Sequence, residues 1–573
     1  MNGIITIFSK KNILDKSIEI EWKTPFAFQG NYIHRKIRSE NILIEQCTSS
    51  KFLYEKKWIN NDQYLLVTEG VIYNIPDLCK QENVNNFESL ISNYFEKQNN
   101  IFFKSFEGNF SGIFYNKKDG YWIAFNNQTG MKKIFYFDND DYLIFSSDLT
   151  ILSRSLKKLG IRLTLDEESA YFLLTSGFMH ENKTLASEVK QIGAGEWAVY
   201  LNNHLKINSY YNLKDIQETT DSKETIIEQL DSLFREAIRL EFEKDKTNNY
   251  ISLTTMSGGL DSRMTALIAH KMGYDNQILL NFSEKGYADQ IIAKQIAESY
   301  KFDIKQIELN ALSLADIDNN ILVNDGQVLY TVCSHFFSTF DKIENLNTGL
   351  IHTGMIGDAV MGSYVSKVEM TKSDLSDGLY SKGLLNKSAN SLNKSISRYP
   401  SDELYKFYNR AFLGINTAFL YFDLIGETTS PFLNSSFISY AYSIPRKYKF
   451  RENIYVEWIR TLHPDIARFT WENIGGRPTN NKYLRSYYRY KRAIIKRLPI
   501  HTMWKNNMTP EQLWYDKNER VHNSLDTYFK THIDLINNHK DLENDMIKLY
   551  HTGNITEKAQ VLTLLGAYKL LFE

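Results

Sequence analysis

The feature that most restricts the fold is NYISLTTMSGGLDSRMTALIAHKMGY, residues 249–274. An apolar, β-branched run ends in two glycines, and apolar residues at helical spacing begin at once. A strand that passes through a glycine turn into a helix opens a βαβ unit. The alternation continues with strand NQILLNFS, helix DQIIAKQIAESYK and strand DIKQIEL. Farther on, GLIHTG reads as another buried strand ending in a glycine turn. A helix pattern, IIEQLDSLFREAIRLEFE, precedes the whole, and beyond residue 400 the patterns are helical. This predicts a parallel sheet with ligands at the carboxyl ends of its strands.

The turn itself carries chemistry. Gly258 and Gly259 allow backbone amides to approach an anion with no Cβ in the way. Ser257 and Ser262 add hydroxyls, and the helix N-terminus favours negative charge. The Gly-Lys-Ser/Thr ending of a Walker A loop is missing. Asp261 would repel phosphate unless a cation lies between them, so the motif predicts a polyphosphate with Mg²⁺ and Asp261 as a ligand. The bland alternative is a tight strand–helix turn capped by an aspartate.

Residues 1–210 read differently. Short runs, GIITIFS, QYLLVTEGVIYN, FSGIFYN, YWIAFNN, KKIFYF, YLIFSS and GEWAVYLNNHLKI, are separated by turn residues. Helix patterns interrupt at NNFESLISNYFEKQ and DEESAYFLLTSG. This predicts an α+β layered domain, then a polar linker over 211–224, then the α/β part over 225–573. At 573 residues, two or more cores are expected. A formal net charge of -1 gives no global sign of a nucleic-acid binder. Cys47, Cys79 and Cys333 are odd in number and far apart, which argues against a disulfide framework or a cysteine zinc site. No apolar stretch nears the roughly 20 residues of a membrane span, and MNGIITIFSKK does not read as a signal peptide. A cytoplasmic setting is expected.

SGGLDS looks like the pyrophosphate loop of ATP pyrophosphatases, and the wider chain resembles the glutamine-dependent asparagine synthetase family. TEGVIYN (68–74), FEGNFSGIFYN (106–116), NNQTGMKKIFYF (126–137) and IGAGEW (192–197) resemble motifs of its first half. YADQIIAKQIA (287–297), TGMIGDAVMGSY (353–364) and ETTSPFLNSSF (427–437) resemble motifs of its second. The resemblance implies a glutaminase-like Ntn-type α-β-β-α sandwich, then a Rossmann-like ATP-pyrophosphatase domain with a helical C-terminal extension. It implies a carbon–nitrogen ligase that uses ATP and Mg²⁺ to adenylate a carboxylate, releasing AMP and pyrophosphate, and then forms an amide. Ser257, Gly258, Gly259, Asp261 and Ser262 would hold pyrophosphate, and Thr255 and Phe282 would contact adenosine. Thr353 and Gly354 would line the nucleotide and acyl-adenylate, and Asp358 would join Asp261 on the metal.

The pattern breaks in two places. The family's glutaminase uses an N-terminal cysteine, where this chain has Asn2, and an amide cannot replace a thiolate. Glu69 stands at the motif asparagine and would repel an oxyanion. Residues 1–210 are therefore expected to keep the fold without glutaminase activity. In the other half, Met355 replaces a glutamate thought to assist the nucleophile. β-Lactam synthetases and lasso-peptide cyclases keep the adenylating half with a substrate amine as nucleophile, and similar proteins occur in surface-polysaccharide pathways. Asp325 and His335 are candidate replacement bases, His335 fitting better as a hydrogen-bonded histidine on a helix face.

Residues 477–505 carry many Lys and Arg, no acid, and interleaved tyrosines. Arg477 or Lys482 is expected to reach the departing pyrophosphate. The stretch is also a candidate docking surface for an acidic partner. The expected substrate is a small-molecule or peptide carboxylate, coupled to free ammonia or to an amine of a larger substrate. A catalytically silent nucleotide-binding scaffold is the rival reading.

Overall fold

The computed structural model describes residues 2–22, 32–98, 100–332, 334–336, 343, 346–495 and 509–573. Cys333, Lys496, Arg497, Lys505 and the side chain of Lys482 lie outside the described residues.

The first part holds two six-stranded sheets with antiparallel neighbours throughout. One runs Lys190–Gln191, Phe135–Asp138, Tyr142–Ser146, Gly3–Ser9, Ile42–Ser49, Tyr32–Arg38. The other runs His204–Ser209, Glu196–Leu201, Tyr121–Asn126, Gly108–Asn116, Tyr64–Ile72, Trp58–Asn60. Ile4, Ile44, Val67, Ile113 and Phe145 meet in the core between them. The opposite faces are covered too. Ile5 and Ile7 pack under the helices Leu149–Lys158 and Glu167–Ser176, and Phe114 and Phe125 under Phe87–Glu96. Strands buried on both faces lack a polar side, which is why GIITIFS reads as a near-continuous apolar run.

The strands Tyr32–Arg38 and Ile42–Ser49 escaped the sequence reading, and three of its segments fold differently from expectation. KKIFYF enters its strand only at Phe135, because Lys132 and Lys133 turn into the junction with the second part. GEWAVYLNNHLKI is a hairpin whose corner, Asn202 and Asn203, has φ of 51° and 63°, the left-handed geometry asparagine tolerates. The expected linker is a packed strap: Leu213 is fully buried and the Tyr211 hydroxyl meets Ser439 Oγ at 2.9 Å. Ser222 then caps the 25-residue helix Lys223–Thr247 through the Thr225 amide.

The second part is built on a five-stranded parallel sheet in the order Asp303–Glu308, Gln277–Ser283, Ile251–Thr255, Thr348–His352, Glu427–Thr429. The chain runs outward from Ile251–Thr255 in one direction, then returns to its other side. That reversal is a topological switch point, where open α/β sheets form their ligand crevice. At the far end, Ile555–Phe572 packs against Leu149–Lys158, Glu167–Ser176 and Ile317–Asn324, so one apolar core takes side chains from both parts.

Candidate active site

The loops after Ile251–Thr255 and Thr348–His352 leave the sheet side by side. Between them lies a cleft of about 320 Å³. Its lining includes Thr255, Ser257, Gly259, Asp261, Ser262, Phe282, Thr353 and Gly354. The two loops touch: a Cβ on Gly354 would strike the Ser262 amide, and one on Gly357 would lie 2.6 Å from Asp261 Cγ. Only glycine permits that approach.

Gly258 does not behave as expected. Its amide donates to Asp289 Oδ1 at 2.7 Å, and a Cβ there would meet Glu472 Cβ at 2.7 Å. Its role is to let the loop lie against those neighbours, and it is absent from the cleft lining. The Ser257 amide donates to Ser262 Oγ at 3.0 Å, and the Gly259 amide to Ser257 Oγ at 3.1 Å. The loop is thus braced by its own serines. Arg263, fully buried, adds a second brace by donating to the carbonyls of Gly258 (3.1 Å) and Thr470 (2.7 Å). Asp289 opens the helix Ala288–Tyr300 and also accepts from Asn281 Nδ2 at 2.9 Å; burial pushes its carboxyl up to about 6.

Asp261 sits in the first turn of the helix Asp261–Lys271. Its Oδ1 accepts from the Tyr455 hydroxyl at 2.8 Å and its Oδ2 from the Asp358 amide at 2.9 Å. Burial pushes its carboxyl well above the usual range, and the nearby Asp358 adds to the effect. Glu452 adds a third negative group. It is 8% exposed, and burial and then Asp358 raise its carboxyl to about 7. Arg451 and Glu452 have φ of 58° and 57°, a left-handed pair without glycine. Such strain persists only where surrounding packing enforces it, and it clusters at functional sites. The sequence reading missed Glu452, Tyr455, Arg263 and Asp289 as site residues. Arg263 and Asp289 lay within quoted stretches, and Glu452 and Tyr455 did not.

Does this acid set fit Mg²⁺? Among the described residues, no group of three or more His, Cys, Asp or Glu side chains is arranged to hold a metal ion. The pair Asp261 and Asp358 is not a self-sufficient cage. It suits a hard cation that takes its remaining oxygens from phosphate and water, as Mg²⁺ does. The Asp261 carboxyl, kept from ionising by burial and by the nearby Asp358, is what such a cation would relieve.

The candidate bases separate. His335 lines the cleft, its ring 5.0 Å from that of Phe282, and burial pushes it down to about 3, so it stays neutral. Asp325 is a correction: it is absent from the cleft lining. Its carboxylate accepts from the amides of Leu149 and Thr150, both at 3.2 Å, and from Thr150 Oγ1 at 2.6 Å. It caps a helix of the first part, and it lines a different cavity, of about 50 Å³. Arg477 is exposed and lies outside the cleft lining. Lys482 opens the helix Lys482–Ile495.

That smaller cavity lies beside Asn2 and Glu69. Asn2 Oδ1 accepts from the Ser49 amide at 2.7 Å. Burial raises the Glu69 carboxyl, against the pull of Lys132. Next to them is a buried ion cluster across the two parts: Lys56 to Glu427 at 2.8 Å, and Lys132 to Glu427 and Asp423, each at 2.7 Å. Burial disfavours the Glu427 charge, but Lys132 and Lys56 outweigh it and hold the carboxyl low. Tyr73 also bonds Thr429 Oγ1 at 2.8 Å, and Asn109 Nδ2 the Thr428 carbonyl at 2.6 Å. The side chains of the first part thus seal the edge strand Glu427–Thr429.

Residues 58–211 match the glutamine amidotransferase domain family. More particular are two curated relatives. A putative glutamine-hydrolysing asparagine synthetase of Methanocaldococcus jannaschii is 22% identical over 218 residues, 37% of this chain and 41% of that protein. A glutamine-hydrolysing asparagine synthetase of Bacillus subtilis is 20% identical over 249 residues, 41% of this chain and 38% of that protein. The match thus spans about two fifths of these relatives' length. Among solved structures, an allosteric regulatory enzyme of purine biosynthesis aligns with a TM-score of 0.22 at 9% identity, over 47% of this chain and 67% of that one. The B. subtilis glutamine phosphoribosylpyrophosphate amidotransferase aligns with a TM-score of 0.21 at 9% identity, over 55% and 67%. Among the described residues, no helix is long and apolar enough to cross a membrane.

Proposed function

We propose that the chain is an ATP-dependent, amide-forming ligase that adenylates a carboxylate and releases AMP and pyrophosphate. The observation that carries the reading is Asp261 in the cleft beside the serine–glycine loop at the switch point of the parallel sheet, its Oδ2 bonded by the amide of Asp358, which is exposed just outside the cleft lining. The likeness to asparagine synthetases supports it. Thr255 and Phe282 offer a lining for adenosine, and Thr353 and Gly354 face the same cleft. Ser257, Gly259 and Ser262 lie where phosphates would rest on a helix N-terminus. Mg²⁺ held by Asp261 and Asp358 would neutralise charge on the departing pyrophosphate.

Met355 lines the cleft and has no proton to exchange. Glu452, buried near Asp358 at the margin of the cleft and outside its lining, is the acid placed to take a proton from an attacking nitrogen. Free ammonia and an amine of a larger substrate would each give up one proton there as the amide forms. No ammonia would come from glutamine, because Asn2 holds the position of the nucleophile and its side-chain oxygen is taken by Ser49. The test is release of AMP and pyrophosphate from ATP with candidate carboxylates. Asp261→Ala is expected to lower it at least about 10²-fold. ADP as product, or unchanged turnover in the variant, would refute the scheme.

A further inference from the structure

The basic stretch that the proposed chemistry leaves unused has a definite shape. The helix Lys482–Ile495 rests on the second part through one face. Arg485 donates to the carbonyls of Pro478 (3.2 Å) and Asn480 (2.7 Å), Arg489 lies 3.8 Å from Glu452, and Arg492 lies 3.2 Å from Glu472. The tethering residues recur at 485, 489 and 492, one side of a helix. The other side faces outward. Tyr483, Tyr487, Tyr490 and Ile494 are 76%, 58%, 73% and 49% exposed. Their spacing of four, three and four is that of a helix–helix seam, with Leu484, 39% exposed, at its edge.

An exposed row of this kind on a folded protein marks an interaction surface. Tyrosine suits one, since it buries a large ring while its hydroxyl stays hydrated. The charge around the seam selects the occupant. No Asp or Glu occurs between Glu472 and Glu511, and Lys491 and Arg477 are exposed. A second copy of this chain would bring the same positive surface and be repelled.

We propose that the seam docks an amphipathic helix of a partner protein, with apolar residues in its stripe and Asp or Glu on its flanks. The inner face makes the docking consequential. Arg489 reaches Glu452 of the acid cluster, and Glu472, paired with Arg492, donates its amide to the Gly258 carbonyl at 2.9 Å. An occupant would therefore stand next to the nucleotide loop.

The test uses the full chain and a labelled amphipathic peptide of about three heptads, with Leu along the seam and Glu on both flanks. Fluorescence anisotropy is expected to show binding that weakens with salt. Binding should fall at least about tenfold in Tyr487→Ser/Tyr490→Ser, and the same peptide with Lys flanks should not bind. Lys491→Glu, a change at an exposed position, is expected to weaken the Glu peptide even if the double variant folds poorly. The proposal is overturned if the Glu peptide fails to bind, or binds all variants equally. It is also overturned if the seam variants instead abolish binding to phosphatidylserine–phosphatidylcholine vesicles, or convert a dimer of this chain to a monomer.

Discussion

Glu452 is a single glutamate in YKFRENIY, with no motif around it, so nothing in the sequence marks it. Its importance comes from two left-handed residues that bring it beside Asp358, a juxtaposition across about a hundred residues of chain. Its carboxyl is raised from the ordinary range of about 4.3 to about 7, so the folded state holds its proton more tightly than the unfolded state. That contribution to stability is complete below pH ~4 and is lost as pH rises to ~7. Glu452→Gln should therefore leave stability unchanged near pH 4. It should raise it by about 1–3 kcal/mol at pH 8, in urea melts of the ATP-free protein. The same variant should lose turnover with ATP and Mg²⁺, and turnover retained at the parent rate would assign the base's role to another group. Asp325 teaches the reverse lesson. A DG turn near a predicted cleft reads as a candidate base, yet its carboxylate is committed to the amides of Leu149 and Thr150, partners no local pattern could reveal.

At the scale of elements, the turn from strand to helix was legible because glycine, serine and aspartate stood at fixed offsets from an apolar run. Most strands of the first part were legible as apolar runs between turn residues. The helices Ile75–Gln81 and Leu149–Lys158 were not, because the first is short and the second is serine- and lysine-rich, and Asp148 gives its only start signal. The edge strand Glu427–Thr429 is three residues long and owes its place to side chains from the other part. This makes the ion cluster around it a sharp target. Lys132→Met would leave Asp423 and Glu427 buried with Lys56 as their nearest cation, a loss of roughly 3–5 kcal/mol. Denaturation curves showing less than about 1 kcal/mol would mean that water reaches the cluster and screens it.

At the scale of the molecule, the sheet order fixes the crevice, and the helices of the two parts share a core. Incubating the purified protein with glutamine is expected to give no glutamate above the spontaneous rate, while ATP and a suitable carboxylate give pyrophosphate. Glutamate formation would overturn the reading of Asn2. The helix Ile555–Phe572 threads its apolar side chains among helices from the beginning of the chain. Cutting between residues 210 and 225 would accordingly not liberate two self-sufficient modules. Each fragment would display a raw, greasy scar, and the pair should be recoverable only when both are synthesised together and allowed to knit.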